Sequence, residues 1–117
     1  MLNFDDFLNE NKQLDTNLNE KFVEKRMEGA LKIEKQASSH GGYARLTATH
    51  FKAKLPCYKE AMKALERGES LSFFEKKYKQ VLSHLHNINN QNRFQELAGE
   101  LETWGEIVCQ LKSSRSY

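Results

Sequence analysis

The sequence predicts an all-α fold, a small bundle of four main helices, and three observations carry that reading. The 117 residues hold a single Pro and six Gly. The chain is rich in Lys, Glu, Leu and Ala, the residues that favour helices over strands. Its apolar residues recur at three- and four-residue spacing, the mark of one helix face, and not at the two-residue spacing of a strand. Hydrophobic residues make up 38% of the chain and charged residues 29%, enough apolar surface for one modest core.

The first element is a short acidic helix within MLNFDDFLNE. Asn3 is placed to cap it, Asp5 and Asp6 sit where the helix dipole favours acids, and Phe4, Phe7 and Leu8 share a face. The pattern breaks around Gln13–Asn17, where Asp15, Thr16 or Asn17 caps a second helix running to about Ala37. Leu18, Phe22, Val23, Met27, Ala30, Leu31 and Ile33 form its apolar positions. Ser38-Ser39-His40-Gly41-Gly42 stops it with turn chemistry.

The next helix runs from Tyr43 or Thr47 to Arg67, with Phe51, Leu55, Tyr58, Met62 and Leu65 as its stripe. Pro56 removes one backbone hydrogen bond from its interior, so a kink is expected near Lys52–Leu55. Gly68 closes it. Ser72-Phe-Phe-Glu75 has the form of a capping box and starts the next helix, which carries Phe74, Tyr78, Val81, Leu82 and Leu85. Asn90 or Asn92 caps the last helix, whose stripe is Phe94, Leu97, Leu101, Trp104, Val108 and Leu111. That seam is too short to stand alone, so the last two helices are expected to pack as an antiparallel hairpin.

Charge is unevenly spread. Residues 1–20 sum to −4, residues 21–67 to +6, and residues 68–117 balance, for a net of +2. Cys57 and Cys109 lie beside apolar residues without C-x-x-C spacing and read as buried free thiols of a reducing compartment. No apolar run approaches the roughly 20 residues of a membrane helix. No membrane partner is therefore expected. The acidic start is unlike a secretory signal.

The chemistry-bearing residues form few constellations. His84 and His86 point about 200° apart on a helix and cannot share an ion. Glu34, His40 and His50 are the residues from which a His/Glu metal site could be built, without the usual H-x-x-x-H or E-x-x-H spacing. Cys57 has no accompanying base, and no phosphate-binding glycine motif occurs. The expectation is a protein that is not an enzyme and uses no cofactor. Lys52, Lys54, Lys59, Lys63 and Arg67 partly share a face, a candidate surface for DNA or an acidic partner.

The opening stretch is too short to be a stable helix alone, and Phe4, Phe7 and Leu8 suit insertion into a groove. Met1, Phe4, Phe7, Leu8 and Glu10 resemble, position by position, the capsid-targeting peptide of internal head proteins of T-even-like phages. The resemblance implies a cleavable address over residues 1–10. A prohead protease would cut after Glu10 of Leu8-Asn9-Glu10, with Asn11 where the family has a small residue. Removal of Asp5, Asp6 and Glu10 would take the net charge from +2 to +5. It implies residence in the head interior, assembly with prohead scaffold or protease, delivery into the host cytoplasm, and action on a host protein or DNA by binding.

A fainter pattern, Glu34, His40-Gly41, His50-Phe51, Pro56, Tyr58 and Leu65-Glu66, is similar to a family of uncharacterised small phage and bacterial proteins. The competing expectation is a cytoplasmic helical interaction module whose first helix belongs to its fold.

Overall fold

A computed structural model describes the backbone of residues 4–39 and 43–115, and the side chains of 18–39, 45–86 and 88–113. Four α-helices follow one another: α1 (Phe4–Ser38), α2 (Tyr43–Glu66), α3 (Leu71–His84) and α4 (Gln91–Arg115). A single 3-10 turn, Leu85–Asn87, joins the last two. No strand occurs among the described residues. α2 is the common partner, packing along α1 and along α4, while α3 lies against α4. The body measures 63 × 30 × 23 Å. Its length follows from α1, whose 35 residues rise about 52 Å against about 36 Å for α2.

α1 buries a narrow seam of Asn19, Val23, Ala30 and Ala37, while Leu18, Leu31 and Ile33 stay exposed. The seven-residue spacing of Val23, Ala30 and Ala37 turns one line of small side chains toward α2, where Ala61 and Ala64 are fully buried in return. Small residues on both sides let the helix axes approach. α1 is one helix, running through Gln13–Asn17 where the sequence suggested a break and a fresh cap. Pro56 lies inside α2, whose helix is unbroken from Tyr43 to Glu66.

Helix ends follow local chemistry. Gly68, at φ +75°, ends α2. Its N–H donates to the Leu65 carbonyl and the Glu69 N–H to the Ala64 carbonyl, both at 3.0 Å. That double bond pattern requires a left-handed residue, which glycine supplies without strain. α3 begins one residue before the Ser72–Glu75 box, with Ser70 as its cap residue. Ser70 Oγ and Ser72 Oγ hydrogen-bond each other at 2.8 Å, and Ser70 makes no side-chain cap. At α4 the cap, of the two candidates Asn90 and Asn92, is Asn90, whose Oδ1 accepts from the Asn92 and Arg93 N–H groups at 2.8 and 3.2 Å.

The core joins all four helices. Val23 and Ala30 of α1 meet Tyr58, Ala61 and Leu65 of α2, Phe74 of α3, and Trp104, Ile107 and Leu111 of α4. Phe74 and Trp104 stand 6.3 Å apart between ring centroids. Two sequence expectations about α4 are corrected. Phe94 heads the apolar stripe yet is 47% exposed, because it lies in the first turn, outside the core cluster. Cys109 is exposed, unlike buried Cys57, since five positions beyond Trp104 the helix has turned about 140° away from the core.

Gly99 sets the α2–α4 contact. A Cβ there would collide with the His50 carbonyl oxygen, so the helices can touch only because that position is bare. Gly29, by contrast, faces open space on α1. Gly99→Ala should therefore destabilise the fold by about 2 kcal/mol through overpacking, whereas Gly29→Ala should stabilise it by about 0.5–1 kcal/mol through helix propensity. Urea unfolding of the two variants checks the opposite signs.

Candidate functional site

The densest polar constellation is built where Gly99 lets α2 and α4 meet. Lys54, 3% exposed, sits on the same face of α2 as Tyr58, Ala61 and Leu65 and is directed into the interface with them. A buried ammonium must be paired. Its Nζ donates to Glu102 Oε1 at 2.7 Å and to Glu106 Oε1 at 3.1 Å. Glu102 and Glu106, four residues apart, present both carboxylates on one face of α4. The Tyr58 hydroxyl donates to Glu106 Oε2 at 2.6 Å, and His50 Nε2 meets Glu102 Oε2 at 2.9 Å. Arg26 reaches across from α1 to Glu106 at 3.7 Å. The Phe51 and Tyr58 rings lie under the ammonium, 5.4 and 5.7 Å from it.

The electrostatics follow from this packing. Burial by itself raises Glu102, but the hydrogen bond and charge of Lys54, followed by those of His50, outweigh it and hold the carboxyl below its usual range. Burial pushes the Tyr58 phenol well above its ordinary range, and its hydrogen bond to Glu106 adds to this. Tyr58 is thereby fixed as a donor. Each polar group satisfies another, and the assembly acts as a clamp between helices.

Glu100 lies one residue after the glycine and borders a groove with Thr49, Lys52, Ala53, Pro56, Arg93 and Glu96. Its Oε2 is buried without a hydrogen-bond partner. Burial pushes its carboxyl above the ordinary range, against the lowering pull of Arg93. Arg93 itself is bound to Glu96 at 2.9 Å. The Cys57 thiol is pushed up to about 12 by burial, with the charges of Glu100 and Glu60 adding to the effect. At neutral pH it is protonated and is no nucleophile.

The sequence-derived candidates fall in different places. Lys54 leaves the basic face, because it lies about 200° around α2 from Lys52 and is buried between carboxylates. Lys52, Lys59 and Lys63 remain together on the exposed face, and Arg45 joins them in the same register. Arg67 lies past the end of α2, 3.6 Å from Glu69 and over the Phe73 ring. Of the metal candidates, His40 lies outside the described residues. Glu34 Oε1 accepts from Ser38 Oγ at 2.9 Å, and His50 is engaged by Glu102. Among the described residues no group of three His, Cys, Asp or Glu is disposed to hold a metal ion. The side chains of Phe4, Phe7, Leu8 and Glu10 lie outside the described ones. No described helix is long and apolar enough to cross a membrane.

Sequence reasoning missed the clamp because it set Lys54 on a basic face with Lys52 and assigned Glu102 and Glu106 no role. The available signal was Lys54 at helical spacing from Tyr58, Ala61 and Leu65, a charge on a core stripe. The chain matches no known family model, no curated protein and no solved structure.

The two perturbed carboxyls have opposite consequences for stability. Glu102, held below 4.5, contributes stability that is present above that pH and lost as pH falls through its folded value. Glu100, held above 4.5, contributes stability that is full below that pH and lost as pH rises through its folded value. Glu100→Met should therefore stabilise the protein by about 1 kcal/mol at neutral pH, with the difference from wild type vanishing below pH 4.5. Chemical denaturation across that pH range checks it.

Proposed function

We propose that this chain is a non-enzymatic binding protein of a phage, packaged in the head and delivered to the host cytoplasm. The observation that carries the reading is the match of Met1, Phe4, Phe7, Leu8 and Glu10 to a capsid-targeting peptide ending in a prohead-protease site. On this reading residues 1–10 engage prohead scaffold or protease, and the remaining helices act afterwards on a host protein or DNA.

The geometry supports binding over turnover in two ways. The side chains best suited to acid–base work, His50, Lys54, Tyr58, Glu102 and Glu106, are occupied with one another. On the opposite side of α2, Arg45, Lys52, Lys59 and Lys63 form an exposed cationic line with no acid on that face before Glu66. Such a line suits phosphates or an acidic protein surface. The scaffold behind it would be a bundle bent at Pro56, with α3 and α4 as an antiparallel hairpin. The contacts of Phe74 with Trp104 and of Glu75 with Lys112 fit that pairing.

A second reading, a cytoplasmic interaction module whose N-terminal residues belong to the fold, is favoured by the continuity of α1 from Phe4 to Ser38. Co-expression with a T-even-type prohead protease separates the two. The head-protein reading expects an intact mass lacking residues 1–10 and no cut in Glu10→Ala. An uncut wild-type chain, with a melting temperature that drops when residues 1–10 are deleted, would favour the module instead.

A further inference from the structure

The cations of α2 divide into two sets. Lys54 is buried between carboxylates, whereas Arg45, Lys52, Lys59 and Lys63 are exposed and make no ion pair with another described residue. Helix geometry places those four within about 40° of arc, in steps of about 10, 10 and 6 Å along the axis. The line they form is about 27 Å long. Of the acids beside it, Glu60 is held by Lys77 at 2.6 Å and Glu96 by Arg93 at 2.9 Å. Glu100 borders the groove at Lys52 without pairing to it.

What lies between these cations selects the partner. Ala48, Thr49 and Pro56 are the side chains beside them on that face, small and without an aromatic or long aliphatic group. A protein interface draws its energy from buried aromatic and aliphatic anchors, which this face lacks. Single-stranded nucleic acid is held by aromatic side chains stacked on its bases, and the face offers none. A duplex needs neither, because its phosphates carry one charge per about 1.7 Å of axis and cations alone release its counterions. α2 contains no Asn or Gln to read an adenine edge, so the contact carries no preference for base sequence.

We propose that the Arg45–Lys63 line of α2 docks double-stranded DNA through its phosphates, irrespective of sequence. Of the two targets named above, a host protein or DNA, the inference selects DNA, and to that extent it rests on that reading. The two are tested apart, since head targeting is read by intact mass after protease treatment and DNA binding by the uncut chain.

The test is fluorescence anisotropy of the full chain with labelled DNA duplexes of two unrelated sequences, from about 50 to about 200 mM salt. The expected result is one Kd for both sequences, with log affinity falling against log salt at a slope of about −3 to −4, the value for four phosphate contacts. Lys59→Ala should make that slope shallower by about 1. Lys52→Glu with Lys59→Glu should weaken binding by about tenfold or more with unchanged helical content. Lys21 and Lys25 lie on the side of α1 turned away from α2, about 160–200° around from Val23. Lys21→Glu with Lys25→Glu makes the same change in net charge and should weaken binding by no more than about threefold. No binding at the lowest salt would overturn the proposal, as would equal losses in the two double variants. So would tighter binding of single-stranded DNA or of duplex RNA, or displacement of the DNA by polyglutamate at equal charge concentration.

Discussion

The ammonium of Lys54, enclosed between α2 and α4, is the constraint around which the rest of this molecule is arranged. Removing one partner from such a pair leaves an uncompensated buried charge and costs about 3–5 kcal/mol. The net stability of the intact pair over an apolar replacement is far smaller. The clamp therefore acts chiefly on geometry. Only one rotation and one axial position of α4 bring Glu102 and Glu106 both within 3.1 Å of the same nitrogen. Gly99 makes that approach possible, and Tyr58, His50 and Arg26 occupy the remaining carboxylate oxygens.

Fixing α2 against α4 also decides what faces outward. With Lys54 turned inward, the opposite side of α2 carries Arg45, Lys52, Lys59 and Lys63 as one line. With α1 seated on α2 through Val23, Ala30 and Ala37, its Leu18, Leu31 and Ile33 are left exposed. The two surfaces differ in chemistry. The first is cationic and suited to phosphates or acidic side chains, and the second sets apolar side chains among Lys and Glu alike.

Much of the architecture was legible in the residues. The helical spacing predicted an all-helical chain, Gly68 the end of α2 and Trp104 its burial, because these signals are local. What escaped was set by partners distant in sequence. Lys54 looks like its exposed neighbours until α4 is placed beside it, more than forty positions away along the chain. Cys109, Phe94, Leu18 and Ile33 are apolar and helical, yet only packing decides which apolar residue meets a neighbour and which meets water. The Ser72–Glu75 box has the right letters, but the hydrogen bonds of α3 start at Leu71. The candidate site fared worse than the fold, since its clamp joins residues that each had an ordinary explanation.

A double-mutant cycle between Lys54→Met and Glu106→Gln, followed by urea unfolding, tests the central claim most directly. If the Lys54 clamp locks α2 to α4, the two substitutions should be coupled by about 2 kcal/mol, the double variant being less destabilised than the two single losses together. Additivity within about 0.5 kcal/mol would mean that the two side chains do not depend on each other and that something else sets the register of the helices.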